Sequence, residues 1–164
     1  MELKNKVIVI TGGAGGIGLA TAKLFIAEGA KGIALVDYSK ENLDAAEKEL
    51  DSPKVICIQA DVSSSVDTKR FLKTTADTFG GIDVLFLNAG TEGVVKPMND
   101  YPEETFDRVL GVNVKGVWLG MKYGFAHLKK NGGGSVIITS SVAGLTGEAN
   151  VSAYVASKHA TIGL

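Results

Sequence analysis

A glycine-rich turn near the N-terminus constrains the fold of this chain more than any other feature of its sequence. The segment Thr11–Gly18 reads TGGAGGIG and lies between a β-branched run, Val7–Ile10, and residues 17–28, which have helical spacing. Glycines let the backbone approach a pyrophosphate closely, and a helix N-terminus supplies amide donors and partial positive charge. A strand, this turn and a helix in succession predict a nucleotide-binding unit of parallel strands and helices.

The glycines of this turn can be read in two ways. Gly13, Gly15 and Gly18 fit the pattern GxGxxG, whereas Gly12, Gly16 and Gly18 fit the wider pattern TGxxxGxG. No Lys-Ser or Lys-Thr pair follows the last glycine, which argues against the phosphate loop of a nucleotide triphosphatase. The alternative to a phosphate-binding role is a purely structural turn.

Strand and helix patterns alternate along the rest of the chain. Strands are predicted at Val7–Ile10, Gly32–Asp37, Val55–Ala60, Val84–Leu87 and Ser135–Thr139, and helices over 17–28, 40–50, 64–79, 102–130 and 151–164. This alternation predicts right-handed crossovers and a parallel sheet with helices on both faces, the doubly wound α/β fold of the Rossmann type.

We expect residues 1–164 to form a single NAD(P)-binding domain that is incomplete at its C-terminal end. The last helix reaches Ile162, Gly163 and Leu164 without a cap or a polar tail. The fifth strand would then lie at an open edge, which is a template for aggregation. We therefore expect these 164 residues alone to be poorly soluble or loosely packed, and inactive or nearly so.

Two helices show apolar residues at helical spacing. In the first, the apolar positions of one face are Ile17, Ala20, Leu24 and Ala27. In the long helix, spacings of three and four join Phe106, Leu110, Val114, Val117, Met121, Phe125 and Leu128. Gly116, Gly120 and Gly124 form a further stripe on the long helix, which indicates either close packing on the sheet or contact with another subunit.

Composition excludes several classes of protein. The formal net charge is −1 and basic residues form no block, which argues against nucleic acid as a partner. One cysteine, Cys57, and two histidines without ligand spacing predict no disulfide framework and no metal site. The chain has no apolar run of membrane-spanning length and no signal peptide pattern, so we expect a cytoplasmic protein without a membrane partner.

Asp37 indicates which dinucleotide the turn would bind. It ends the second predicted strand, 19 residues after Gly18. A carboxylate at this place accepts hydrogen bonds from the adenosine ribose hydroxyls and repels a 2′-phosphate. Because residues 13–15 carry no basic side chain and Lys40 is the nearest one after Asp37, the sequence favours NAD over NADP. The alternative role for Asp37 is to cap the helix that follows.

Tyr154 and Lys158 indicate acid–base chemistry. They are four residues apart on the last helix and therefore share a face, where the ammonium would stabilise a phenolate. Ser141 directly follows the fifth strand, 13 residues before Tyr154. Ligands of open α/β sheets bind beyond the carboxyl ends of the strands, so Ser141 is expected to face Tyr154 across that crevice.

These motifs, in this order, resemble those of the classical short-chain dehydrogenase/reductase family over the whole chain. The resemblance selects the wider glycine pattern, with Gly12, Gly16, Ile17 and Gly18. It adds a pair that contacts adenine, Asp61 and Val62, and the strand-four motif Asn88, Ala89 and Gly90. It completes a catalytic tetrad of Asn113, Ser141, Tyr154 and Lys158. Leu87 departs from the pattern, because the family often has another asparagine there.

The resemblance implies an oxidoreductase that transfers a hydride between NAD(H) and an alcohol or ketone. It further implies a seven-stranded sheet, of which strands one to five are present in the order 3-2-1-4-5. Tyr154 would act as general base or acid, Ser141 would bind the substrate oxygen, and Lys158 would bind the nicotinamide ribose. Asn113 would hold a water that relays protons from Lys158. The family also implies a homo-oligomer, a dimer or tetramer, for a full-length protein.

Two alternatives stay open at this stage. One is a truncated dinucleotide-binding domain without turnover, and the other is a sugar-nucleotide epimerase, which uses the same tyrosine and lysine. The short glycine motif favours the dehydrogenase over the epimerase. Residues 91–98 and 142–149 would line part of the substrate site, but they do not identify which small alcohol or carbonyl compound binds there.

Overall fold

Five parallel strands form a single sheet in the computed structural model, which describes residues 3–164. The strands are β1 (Val7–Thr11), β2 (Gly32–Asp37), β3 (Val55–Gln59), β4 (Val84–Leu87) and β5 (Ser135–Ile138). Their spatial order is β3-β2-β1-β4-β5, which confirms the predicted order. The central strand β1 is buried along its whole length, because neighbours pair on both edges and helices cover both faces.

Helices cover the sheet on both sides. Their bounds are α1 (Gly16–Ala27), α2 (Lys40–Leu50), α3 (Ser65–Phe79), α4 (Glu103–Leu110), α5 (Gly116–Lys130) and α6 (Ser152–Gly163). Side chains alternate along β1, so that Ile8 and Ile10 pack with α1 and α2 while Val9 packs with α3 and α5. Apart from the long helix, every predicted boundary lies within one residue of the observed one.

Local sequence explains where α2 and α3 begin and where α3 ends. Ser39 caps α2 and Ser64 caps α3, each hydroxyl accepting a hydrogen bond from the backbone N–H three residues ahead. Gly80 ends α3 with a φ of 88°, a left-handed conformation that favours glycine. None of the helices between residues 3 and 164 combines the length and apolar character needed to cross a bilayer.

The predicted apolar face of α1 is wrong. Ile17 and Leu24 are more than half exposed, whereas Gly18 and Ala22 are buried against the rest of the domain. The glycine turn determines this orientation, because a Cβ on Gly18 would lie 2.1 Å from the carbonyl oxygen of Gly12. The helix must therefore present its smallest residues to the turn.

The long helix is not continuous, as it had been predicted to be. A π-helical turn, Gly111–Lys115, separates α4 from α5, and it contains the buried Asn113. π-Turns inside α-helices are frequent at functional sites. At this turn the side chain of Asn113 bonds to Thr91 and Ser157, in parts of the chain distant from the helix.

The glycine stripe of α5 packs on the sheet, which corrects its alternative interpretation as a subunit contact. A Cβ at Gly116, Gly120 or Gly124 would lie 2.8, 2.7 or 2.4 Å from a side chain beneath the helix. Those side chains are Val62, Leu87 and Leu85. On the opposite face of α5, Phe125 is exposed, whereas Val117 and Leu128 are buried as the spacing predicted; Phe106, on α4, is also exposed.

Candidate active site

A cavity of about 660 Å³ opens at the carboxyl ends of the first four strands. Segments that follow each of these strands contribute to its wall, and the C-terminal end of α4 with the start of the π-turn closes the other side. The lining residues are Gly12, Val36, Asp37, Tyr38, Ala60, Asp61, Val62, Ser63, Ala89, Gly90, Thr91, Asp107, Arg108, Gly111 and Val112. The strand order reverses between β1 and β4, and ligands of such sheets bind at that switch point.

The turn between β1 and α1 requires glycine at specific positions. Gly12 and Gly16 have φ values of 62° and 48°, and Gly18 packs against backbone atoms. Gly15 has no neighbouring atom within 4 Å of an added Cβ, and its φ is −159°, which other residues adopt. The conformation therefore matches the wider pattern, although Gly13 is also confined, since a Cβ there would lie 2.8 Å from the carbonyl oxygen of Ile10.

The carboxylate of Asp37 lies at the end of β2 and lines the cavity. One oxygen accepts a hydrogen bond from Ala14 N at 3.2 Å, and the other accepts one from Ser39 N at 3.1 Å. These bonds fix the carboxylate between the glycine turn and the start of α2. It does not cap α2 as the alternative role required, since Ser39 performs that function.

Asp61 and Val62 line the same cavity after β3. One Asp61 oxygen accepts hydrogen bonds from the backbone N–H and the hydroxyl of Ser63, at 2.8 and 2.7 Å. The backbone N–H of Asp61 donates to Asp67 at 3.0 Å. A tight turn therefore holds the pair against the cavity wall. The position of Val62 is also set by α5, where Gly116 leaves room for it.

Asn88 ties three strands together at the carboxyl edge of the sheet. Its side-chain N–H groups donate to the carbonyl oxygens of Thr11 and Gly12, and its Oδ1 accepts from the Thr139 hydroxyl at 3.0 Å. The Thr11 hydroxyl in turn accepts from the backbone N–H groups of Asn88 and Ala89. The side chain is thus occupied by structural bonds, while Ala89 and Gly90 face the cavity.

Lys158 reaches from α6 to the sheet edge. Its ammonium donates to the carbonyl oxygen of Thr139 at 2.8 Å and lies 5.5 Å from the centre of the Tyr154 ring. Burial lowers the pKa of Lys158 below its ordinary value. A Cβ on Gly90 would lie 3.6 Å from Lys158 Nζ and 3.4 Å from Asn113 Oδ1. The lysine and asparagine therefore converge beside the cavity wall.

Asn113 is completely buried in the π-turn. Its Oδ1 accepts from the backbone N–H of Thr91 at 2.8 Å, and its Nδ2 donates to the carbonyl oxygen of Thr91 at 2.9 Å. The second Nδ2 proton goes to the hydroxyl of Ser157, also at 2.9 Å. Both amide protons are therefore committed, and only acceptor capacity on Oδ1 remains for a water.

Ser141 begins the short 3₁₀ turn Val142–Gly144 after β5. Its hydroxyl oxygen accepts from Ala143 N at 3.2 Å, and no residue between 3 and 164 accepts its proton. Gly144 packs this turn onto α6, because an added Cβ would lie 2.7 Å from the carbonyl oxygen of Lys158. The fold thus brings Ser141 to the helix that carries Tyr154, with a hydroxyl proton still to donate.

The structure divides the predicted residues into two neighbouring groups. The first group lines the cavity and consists of Gly12, Asp37, Asp61, Val62, Ala89 and Gly90. The second group lies around the ends of β4 and β5 and consists of Asn113, Ser141, Tyr154 and Lys158. Gly16 and Ile17 belong to neither group, because they open α1 on the exposed side of the turn. The Gly90–Thr91 segment joins the two groups, since it lines the cavity and contacts Asn113.

Sequence reasoning missed several residues of this site. Arg108 lines the cavity, on the wall formed by α4, and its guanidinium makes no hydrogen bond or ion pair within residues 3–164. Thr91 and Ser157 bond directly to Asn113. The partners of Asn113 depend on contacts between segments distant in sequence.

Two other reactive residue types lie outside the site. Burial raises the pKa of the Cys57 thiol to about 11, and the thiol donates to the carbonyl oxygen of Leu43. Burial lowers the pKa of His127, which is half-buried near the end of α5. Within residues 3–164, no group of three or more His, Cys, Asp or Glu side chains could hold a metal ion.

The sheet order and the cavity at its switch point define a doubly wound α/β protein of the Rossmann type. A sequence model of the family described as short chain dehydrogenase matches residues 6–164. The chain therefore belongs to the short-chain dehydrogenase family, as its motifs predicted.

Known proteins support this assignment. Levodione reductase from Leifsonia aquatica is 38% identical over 98% of this chain and 61% of its own length. The crystal structure of levodione reductase matches with a TM-score of 0.93 and 37% identity, covering 98% of this chain and 64% of the other. NAD+-bound xylitol dehydrogenase matches with a TM-score of 0.91 and 36% identity, covering 99% and 63%. The chain thus spans about three fifths of the length of the curated relatives it matches.

Proposed function

We propose that this chain forms the dinucleotide site and the acid–base site of an oxidoreductase that transfers a hydride between NAD(H) and a small alcohol or ketone. The observation that carries the proposal is the convergence of Lys158 Nζ and Asn113 Oδ1 on Gly90, at the wall of a cavity that also contains the Asp37 carboxylate. The proposed proton-relay residues, Lys158 and Asn113, and the proposed dinucleotide pocket thereby share the wall formed by Gly90.

The residues present fit a dinucleotide. Gly12 and Gly18 leave no room for a Cβ, so the turn brings its backbone to the ligand as a phosphate contact requires. Asp37 and Asp61 place acceptors for ribose and adenine groups along the same cavity. We propose NAD rather than NADP, because a carboxylate at Asp37 disfavours a 2′-phosphate and a similar solved structure is NAD+-bound.

The catalytic role is assigned to Tyr154. Its hydroxyl makes no hydrogen bond to any residue from 3 to 164 and can bond to a substrate oxygen. In oxidation the phenolate takes the alcohol proton; in reduction the phenol gives a proton to the carbonyl oxygen. The ammonium of Lys158 lies 5.5 Å from the ring centre and places a positive charge beside the phenol. When bound, the nicotinamide supplies or accepts the hydride.

Ser141 and Asn113 complete this proposal. Because the Ser141 oxygen already accepts from Ala143 N, its proton is available to the substrate oxygen, where negative charge develops during oxidation and reduction. Asn113 and Lys158 both face Gly90, so we place the proton-relay water between them. The side chain of Asn113 has only acceptor capacity left for that water, on Oδ1.

The test uses the protein as expressed from its gene. NADH fluorescence on titration measures binding, and absorbance at 340 nm measures turnover over a panel of small alcohols and ketones. We expect NADH to bind and at least one compound to be turned over. Failure to bind NADH contradicts the whole proposal. Binding without turnover supports the inactive binding domain, and epimerisation of a nucleotide sugar with no net change at 340 nm supports the epimerase.

A further inference from the structure

Ser157 is a buried polar residue to which the proposed mechanism gives no role. It lies between Tyr154 and Lys158 on α6 and has no solvent exposure. A hydroxyl removed from water needs hydrogen-bond partners, and this one has two. Its Oγ donates to the carbonyl oxygen of Tyr154 at 2.7 Å and accepts from Asn113 Nδ2 at 2.9 Å.

The direction of each bond follows from the groups involved. The carbonyl oxygen of Tyr154 can only accept, so the single proton of the Ser157 hydroxyl points back along α6. The lone pairs of the hydroxyl then face Asn113, whose Nδ2 can only donate. The hydroxyl therefore joins the π-turn to the helix that carries the proposed acid–base group.

The orientation of the Asn113 amide is fixed independently at its other end. Thr91 offers a backbone N–H to Oδ1 at 2.8 Å and a carbonyl oxygen to Nδ2 at 2.9 Å, and neither bond survives if the amide is turned over. Ser157 takes the one remaining amide proton. Three segments distant in sequence, the loop after β4, the π-turn and α6, are thereby joined in one chain of hydrogen bonds.

We infer that Ser157 is a positioning residue, which holds Asn113 and the backbone of Tyr154 in fixed relation for the reaction proposed above. Without its hydroxyl, one amide proton of the buried Asn113 loses its acceptor, while the other stays on the carbonyl oxygen of Thr91. The amide would then move or turn to find a partner. Because this inference rests on the proposed function, its test includes a measurement that needs no turnover.

The first test compares Ser157→Ala with a matched control, Thr75→Ala. Thr75 is also fully buried, and its hydroxyl donates only to the carbonyl oxygen of Phe71 in its own helix, α3. We expect Ser157→Ala to lower kcat about 10- to 100-fold while the Kd for NADH stays within about threefold. The control should lose comparable thermal stability and keep its kcat. Equal kcat values in the two variants would overturn the inference.

A double-mutant cycle tests whether Ser157 acts through Asn113. If it does, Ser157→Ala should lower kcat far less in an Asn113→Ala background than in the native chain. Additive losses would show that the two side chains act separately, against the inference. Ser157→Cys serves as the second variant should Ser157→Ala fail to fold. Its thiol is a weaker donor and acceptor, so an intermediate kcat is expected and a native one counts against the role.

Side-chain amide exchange of Asn113, followed by NMR, completes the test without cofactor or substrate. We expect the Nδ2 protons to exchange at least about tenfold faster in Ser157→Ala than in Thr75→Ala. Unchanged exchange would overturn the inference even in an active enzyme. If the native protein binds no NADH, the proposed function fails by that result, whereas the exchange measurement still decides whether Ser157 orders Asn113.

Discussion

At the scale of single residues, the burial of Lys158 changes the pKa of its ammonium. Its ammonium has one backbone acceptor, the Thr139 carbonyl oxygen, and burial lowers its pKa. Because the folded pKa lies below the unfolded value, the unfolded chain binds more protons in the pH interval between the two values. The cost of burying the charge is full below the lowered pKa and disappears as pH rises toward 10.5.

This linkage predicts a pH dependence of stability. Relative to Lys158→Met, the chain with lysine should gain free energy of unfolding as pH rises toward 10.5, by at most about 1.4 kcal/mol per pH unit. Both chains should carry Tyr154→Phe, so that the neighbouring phenol cannot titrate. Urea unfolding from pH 7 upward measures the difference. A gap between the two chains that is constant with pH would show that the lysine pKa is not lowered by folding.

Tyr154→Phe tests the acid–base role directly. In the protein expressed from its gene, we expect kcat to fall at least ~100-fold, since the proton-transfer group is gone. The Kd for NADH should stay within about threefold, because the ring and its contact with Lys158 remain. Tyr123→Phe, on α5, is the control and should keep native turnover. Near-native kcat in Tyr154→Phe would assign the proton transfer to another group.

Asp37→Ala tests the choice of cofactor. The Kd for NAD should rise by about tenfold or more, since hydrogen bonds to a charged acceptor are lost. The Kd for NADP should change less, because the repulsion of the 2′-phosphate disappears with the carboxylate. Asp44→Ala removes the same charge from α2 outside the cavity and should leave the ratio of the two constants unchanged. Equal losses for both dinucleotides would place Asp37 away from the 2′ position.

At the scale of elements, the β1–α1 turn has little freedom to vary. Gly18 is enclosed by backbone atoms of Gly12 and Gly13, which cannot move as a side chain would. Gly15, at the start of α1, faces open space. These two glycines look alike in the sequence and have opposite requirements in the structure.

We therefore expect a clear contrast between Gly18→Ala and Gly15→Ala. The first should lower the free energy of unfolding by about 3 kcal/mol and weaken NADH binding, since α1 must move away from the turn. The second should change stability by less than about 1 kcal/mol, the effect of an altered helix N-cap. Chemical denaturation of both variants measures this contrast. Equal stabilities would mean that the turn relaxes around an added methyl group.

At the scale of the whole molecule, the sheet has an uncovered edge within the described residues. There β5 pairs only with β4, and Ile137 is 38% exposed. Trp118 and Phe125 are also exposed on the outer face of α5. α5 turns its glycines to the sheet and these larger side chains outward. The homo-oligomer itself stays a prediction.

The open edge predicts self-association when these 164 residues are expressed alone. Strand edges with unpaired backbone groups pair with other chains, and a lysine on the edge prevents this. Ile137→Lys should therefore shift the chain toward monomer in size-exclusion chromatography. Leu24→Lys is the control, because it removes an exposed apolar side chain of α1 that lies on no strand edge. If both variants reduce association equally, general apolar exposure rather than the edge is responsible.

The sequence alone determined the strands and most element boundaries, because they depend on local patterns, and the family resemblance supplied the order of the sheet. β-Branched runs, serine caps and terminating glycines act over a few residues, and parallel crossovers allow few arrangements. Asp37, Tyr154 and Lys158 were likewise predicted as site residues from their places after a strand and along one helix.

Only the tertiary structure decided which faces are buried and how the site is held. The α1 face, the break at Asn113 and the glycine stripe of α5 all result from contacts between segments far apart in sequence. The same holds for the bonds from Thr91 and Ser157 to Asn113, which join residues 22 and 44 positions apart. The spacing of apolar residues along a helix shows which residues could form a buried face. Close packing against a turn or a sheet determines whether the helix presents its glycines or its large side chains to the core.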